Sequence, residues 1–145
     1  MPFFVRALKS ITIIPVYPAD DTIAAVCTAA GKAPVATVRA SGPLAFSIAE
    51  QLFFVEGKPV VPAHIPGFRA QEGIVVCSVG DQRRRCAFPG ILYCFKKPKS
   101  YTREDVVEIQ IPGCPETAGT LLENMIARGA RRAEAGEFTA RAFFS

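Results

Sequence analysis

Gly73-Ile74-Val75-Val76-Cys77-Ser78-Val79 and Cys86-Ala87-Phe88-Pro89-Gly90-Ile91-Leu92-Tyr93-Cys94-Phe95 flank Gly80-Asp81-Gln82. Two apolar, partly β-branched runs parted by a Gly-Asp turn signal predict an antiparallel hairpin. To its N-terminal side, residues 23–28 and 35–41, rich in Val, Ile and Thr, read as two strands joined by a tight loop. Ser41-Gly42-Pro43 marks a helix start, and Leu44, Ile48 and Leu52, with Ala45 and Ala49, keep helical spacing through Phe54. Gly57-Lys58-Pro59 ends that helix, and residues 60–71, with two prolines, read as an irregular connection. On the C-terminal side come a polar loop over 96–100, an alternating strand over 105–111, and a helix opened by Pro115. Ala118, Leu121, Leu122, Met125 and Ile126 make that helix's apolar face, and Gly129 is its expected left-handed stop. A short strand at 130–133 and a helix beginning at Gly136-Glu137-Phe138 complete the order. With no regular βαβ repeat, this order predicts an α+β fold: a mixed, mostly antiparallel sheet packed with about three helices.

The chain has 145 residues, half of them hydrophobic, which suits one packed domain and excludes a disordered chain. The apolar excess implies a covered face, against a second domain or subunit. Seventeen basic against thirteen acidic residues, net +4, is too weak a bias to define a nucleic-acid binder. Cysteines stand at 27, 77, 86, 94 and 114, an odd count without any C-x-x-C. With a single histidine, His64, they match neither a disulfide framework nor a zinc pattern, so buried reduced thiols in a cytoplasmic protein are expected. Residues 1–19 read as an extension, because Arg6 and Lys9 interrupt the apolar pattern and Pro15 breaks the run that follows. No stretch approaches the ~20 uninterrupted apolar residues of a membrane span. Phe143-Phe144 stands in a helix barely begun, so the sequence is expected to belong to a longer chain.

No phosphate-binding loop, G-x-S-x-G elbow or H-E-x-x-H helix is present, and no catalytic or metal-binding residue is expected. Arg83-Arg84-Arg85 reads as a solvated strand end or edge-strand guard, against an RNA phosphate contact; His64 reads as loop filler rather than a catalytic group, and Arg128, Arg131 and Arg132 as complements to a helix C-terminus. Glu104, Asp105 and Glu108 form an acidic cluster. Alternation along residues 105–111 places Glu108 on the face opposite Val107 and Ile109. There it is either a solvated strand residue or an acceptor for paired N–H donors of a flat heterocycle.

Residues 99–109, Lys-Ser-Tyr-Thr-Arg-Glu-Asp-Val-Val-Glu-Ile, resemble the S-[YF]-T-G-E-D-[VL]-[VL]-E-[IL] pattern of the amino-terminal domain of the TrmE (MnmE) family of tRNA-modification GTPases. Three more stretches agree in order and spacing. Asp21-Thr22-Ile23-Ala24-Ala25 is similar to D-T-I-[AV]-A, and Val38-Arg39-Ala40-Ser41-Gly42-Pro43 to [IL]-R-[IL]-S-G-[PF]. Gly129-Ala130-Arg131 with Gly136-Glu137-Phe138-Thr139-Ala140-Arg141-Ala142-Phe143 is similar to G-A-R followed by G-E-F-[TS]-x-R-A-F.

The resemblance implies a folate-binding domain over residues 20–145, similar to the folate-binding domain of the glycine-cleavage aminomethyltransferase. It also implies a homodimer joined through this domain, with a tetrahydrofolate derivative (formyl- or methylene-tetrahydrofolate) as one-carbon source. An MnmG-like flavoprotein would be the partner, and carbon five of the wobble uridine in tRNA the target, tRNA being engaged through the full complex. GTP, Mg and K would belong to a GTPase domain outside this sequence. Arg39 and Glu108 match the family's folate-binding positions; a third, a lysine, would fall after Ser145. Glu108 suits the donor edge of a pterin, and Arg39 either a folate carboxylate or the ring face.

Three departures stand out: Gly31-Lys32-Ala33-Pro34-Val35-Ala36 lacks two family glycines, Arg103 replaces another, and Gln110-Ile111-Pro112-Gly113-Cys114 replaces H-x-H-G-G. They define an alternative, a dimerisation module that has lost folate binding. A folate-dependent aminomethyltransferase relative acting alone is a third reading.

Overall fold

A computed structural model describes residues 20–27, 34–81 and 84–144. The extension 1–19, the loop residues 31–33, Arg83 and Ser145 lie outside the described residues. Eight strands form one sheet: β1 (Thr22–Val26), β2 (Val35–Ser41), β3 (Phe53–Val55), β4 (Lys58–Pro59), β5 (Gln71–Val79), β6 (Arg84–Phe95), β7 (Val106–Pro112) and β8 (Ala130–Arg132). Their spatial order is β4-β3-β5-β6-β7-β2-β1-β8, and every pairing is antiparallel except β1 with β8. Three helices accompany them, α1 (Ala45–Leu52), α2 (Pro115–Ala127) and α3 (Glu137–Phe144). The expected α+β class and mostly antiparallel sheet are what the molecule has.

Alternation explains the central strands. Ala36, Val38 and Ala40 of β2, and Val107, Ile109 and Ile111 of β7, are buried, while Arg39 and Glu108 point to the other face. Helix α2 presents Ala118, Leu121, Leu122 and Met125 to the sheet and packs on β1, β2 and β5. Ala45, Ile48, Ala49 and Leu52 of α1 fill the rest of the same core.

The expected helix through Phe54 is corrected. It stops at Leu52, and Phe53–Val55 is a strand paired with β5, Phe53 opposite Val75 and Phe54 opposite Ile74. Tertiary fit overrides the helical spacing here. Gly73 and Gly90 face each other across the hairpin, and the fully buried Phe53 ring occupies the space they leave. A Cβ on Gly73 would stand 2.5 Å from that ring.

The thiols are corrected in part. All five are free, but only Cys77 and Cys94 are buried, both pushed up to about 12 by desolvation, while Cys27 is exposed. No helix among the described residues is long and apolar enough to cross a membrane.

Candidate functional site

On the outward face of the sheet, Arg39 of β2 and Glu108 of β7 are direct cross-strand partners. Arg39 Nε donates to Glu108 Oε2 at 2.9 Å, and each side chain is about one quarter exposed. Tyr93 of β6 stands opposite Glu108 on its other side, so three strands contribute one polar row. The Arg39 guanidinium lies 5.2 Å from the centroid of the Phe138 ring, a cation–π distance. Beside it opens a cleft of 330 Å³ lined by Arg39, Tyr101, Gly136, Phe138 and Thr139. Across it the Tyr101 hydroxyl donates to Thr139 Oγ1 at 3.2 Å. Glu108 does not line the cleft; it holds Arg39 from behind. The two residues singled out from the sequence therefore converge, 69 residues apart in the chain, with the cleft on the arginine's side.

What brings Phe138 and Tyr101 to Arg39 is an ion-pair cage that the sequence reading missed. Arg131 of β8 donates to Asp21 at 2.7 Å and to Glu137 at 2.6 Å. Arg141 of α3 binds Asp21 and Glu104, the latter at 3.1 Å, and lies 3.5 Å from Glu137. Ser41 at the end of β2 donates to Glu104 at 2.7 Å and shares a 2.6 Å hydrogen bond with the buried Thr102. Glu137 is fully buried and Arg141 nearly so. Burial alone would raise the Asp21 and Glu137 carboxyls, yet hydrogen bonds and charge from the arginines hold both below their ordinary values. The hydrogen bond to Glu137, with that to Asp21, pushes Arg131 up.

Arg131 is thus a buttress rather than a helix-dipole complement. Arg128 does fit that reading, donating to the Asn124 carbonyl, while Arg132 pairs with Glu123. The acidic cluster is dispersed: Glu104 to the cage, Asp105 to the Lys97 amide, Glu108 to Arg39. One signal for the cage was in the sequence, since Asp21, Ser41, Thr102, Glu104, Arg131, Glu137 and Arg141 are all letters of the four quoted motifs.

The described residues of two departures, 34–36 and 110–114, do not line this cleft, and Arg103 stands two residues from Tyr101, which does. Gly113 N–H donates to the Pro34 carbonyl at 3.0 Å, and residues 34–35 and 110–112 border a separate open groove of 890 Å³. Arg103 adopts φ 65°, the left-handed region where glycine is favoured. Among the described residues no group of three or more His, Cys, Asp or Glu is placed to hold a metal.

The family profile described as "GTP-binding protein TrmE N-terminus" matches residues 22–145. A "tRNA modification GTPase MnmE" of Geobacter sulfurreducens is 43% identical over 126 residues, 87% of this chain and 26% of that protein. Proteins of the same name from Marinobacter nauticus and Roseiflexus castenholzii are 41% identical over 128 residues and 38% over 126, covering 88% and 87% of this chain and 25% of each relative. The chain spans about a quarter of the length of these curated relatives.

Proposed function

Because the chain belongs to the family of TrmE amino-terminal domains, we propose that it is the folate-binding, dimerising domain of a cytoplasmic GTPase that modifies carbon five of the wobble uridine in tRNA. In that reading GTP hydrolysis, an MnmG-like flavoprotein partner and tRNA engage the whole protein, and this domain supplies a tetrahydrofolate derivative from a site near the subunit contact.

The observation that carries the reading is the convergence of Arg39, Glu108 and Phe138 beside a cleft. The residues present fit a pterin. Glu108 lies outside the cleft and keeps Arg39 in place, and the guanidinium's remaining N–H groups and flat face are what the cleft offers a ring. Phe138 and Tyr101 offer apolar faces for a flat ring, and the cleft, at the small end of ligand pockets, suits one bicyclic heterocycle. Bound there, the folate would supply the one-carbon unit. The chain's own side chains bind and orient it.

A second reading, a pairing module without folate, draws on the closed Arg39–Glu108 pair, in which each charge already has its partner. Calorimetric titration with 5-formyl-tetrahydrofolate separates the two. Saturable binding that is lost in both Arg39→Ala and Glu108→Ala is expected. A flat titration from a protein that sediments as an intact dimer leaves only the pairing module.

A further inference from the structure

We infer that the loop over residues 96–103 is a seat for the anionic tail of the ligand, the chain of γ-linked glutamates that polyglutamyl folates carry. This rests on the folate reading of the Arg39 cleft and extends it to the part of the molecule the cleft cannot hold.

The cleft's 330 Å³ takes the ring system, so the benzoyl-glutamate end has to leave it. Of its lining, Tyr101, Gly136 and Thr139 are exposed, and Tyr101 belongs to the loop itself. Glu108 is two residues, roughly 7 Å, inside the first residue of β7, at the end of the sheet that this loop crosses. A ligand seated against Arg39 and Phe138 that leaves past Tyr101 meets the loop on its way out.

Lys96, Lys97, Lys99 and Arg103 are all exposed there. Tight turns gather them: Lys99 N–H donates to the Lys96 carbonyl at 2.9 Å, and Arg103 N–H to the Ser100 carbonyl at 3.2 Å. The neighbouring acids have other partners: Glu104 binds Arg141 and accepts from Ser41, and Asp105 accepts from the Lys97 N–H. Among the described residues none of the four cations is in an ion pair. Each added glutamate brings one carboxylate, so a tail of a few residues matches the loop charge for charge. RNA is the other polyanion to weigh. Salt-sensitive RNA binding draws on about six to ten phosphate contacts, and one loop with four cations offers too few.

The test compares mono- and pentaglutamyl 5-formyl-tetrahydrofolate by calorimetry on the purified protein. At low salt the pentaglutamate is expected to bind about tenfold tighter, the gain of a few exposed charge pairs. In the Lys96→Gln/Lys97→Gln/Lys99→Gln variant, and in 0.5 M salt for the wild type, that advantage should fall below about twofold. Melting temperature should not change in the variant, monoglutamate affinity should fall by less than pentaglutamate affinity, and Lys99→Gln alone, if the triple variant folds poorly, should lose part of the gain. Equal affinity for the two ligands overturns the tail site while leaving the folate reading intact. Absence of binding by the monoglutamate overturns both. A lysine-dependent affinity for a tRNA anticodon stem-loop, with no gain from added glutamates, assigns the loop to RNA and overturns the proposal.

Discussion

Arg103 and Glu137 show two ways in which one residue sets the energy of the site. Arg103 holds φ 65° in the loop that carries Tyr101, a conformation costing an L-residue about 1–2 kcal/mol. Arg103→Gly relieves that cost but adds backbone freedom to the unfolded chain. The expected net is a stabilisation of about 1 kcal/mol, a rise of about 3 °C in thermal unfolding; an unchanged or lower midpoint refutes it. Glu137 sits fully buried between Arg131 and Arg141. Removing it in Glu137→Ala leaves two arginines without their shared carboxylate and should cost about 3 kcal/mol at neutral pH, read by urea unfolding. Because the folded-state values of Asp21 and Glu137 lie below the ordinary 3.8 and 4.5, their contribution is complete above those values. It disappears as pH falls through the lowered folded values. The wild type should therefore lose stability in acid more steeply than Glu137→Ala, and parallel acid profiles would contradict the cage.

At the scale of elements, β3 and the hairpin it covers depend on a pair of missing side chains. Gly73→Ala places a Cβ 2.5 Å from both the Phe53 ring and the Phe54 carbonyl oxygen. A destabilisation of about 2–3 kcal/mol is expected from that overpacking, and about 4 kcal/mol from the cavity left by Phe53→Ala. Deleting the ring should not rescue Gly73→Ala, since the backbone oxygen remains; full rescue would show that the ring alone sets the constraint. This also marks where sequence reading fails. Strand β2, the hairpin, β7 and α2 are legible because β-branched apolar runs, a Gly-Asp turn, alternation or helical spacing are written into them. Phe53 and Phe54 continue the apolar spacing of α1, and only their pairing with Val75 and Ile74 makes them a strand. The same division runs through the site. Alternation places Glu108 on the outward face, and only the motif singles out Arg39. The cage joins residues up to 120 positions apart, a closeness no local pattern encodes.

Over the whole molecule, that cage ties the residue before the first described strand to the last helix, while a single apolar cluster joins that strand to the central strands, α1 and α2. Cys77 and Cys94 belong to the cluster together with residues of α1 and α2, so neither thiol can be reached without opening the common core. Their pKa of about 12 leaves on the order of one thiolate in ten thousand at pH 8, which suppresses direct attack further. Cys114, whose thiol is held below its ordinary value by hydrogen bonds to Thr117, should react first with a disulfide reagent. Cys27, an exposed residue whose thiol is nonetheless raised by partial desolvation, should follow more slowly. Cys77 and Cys94 should react only through global unfolding, at one shared rate that rises with denaturant. Glu137→Ala, though remote from both in sequence, should then raise the equilibrium-limited labelling of the two by the same factor, about a hundredfold for a loss of 3 kcal/mol. Mass-resolved labelling that finds one of them accelerated and the other unmoved would show that the cage and the core open separately, and that α3 can leave the Arg39 cleft while the sheet stays folded.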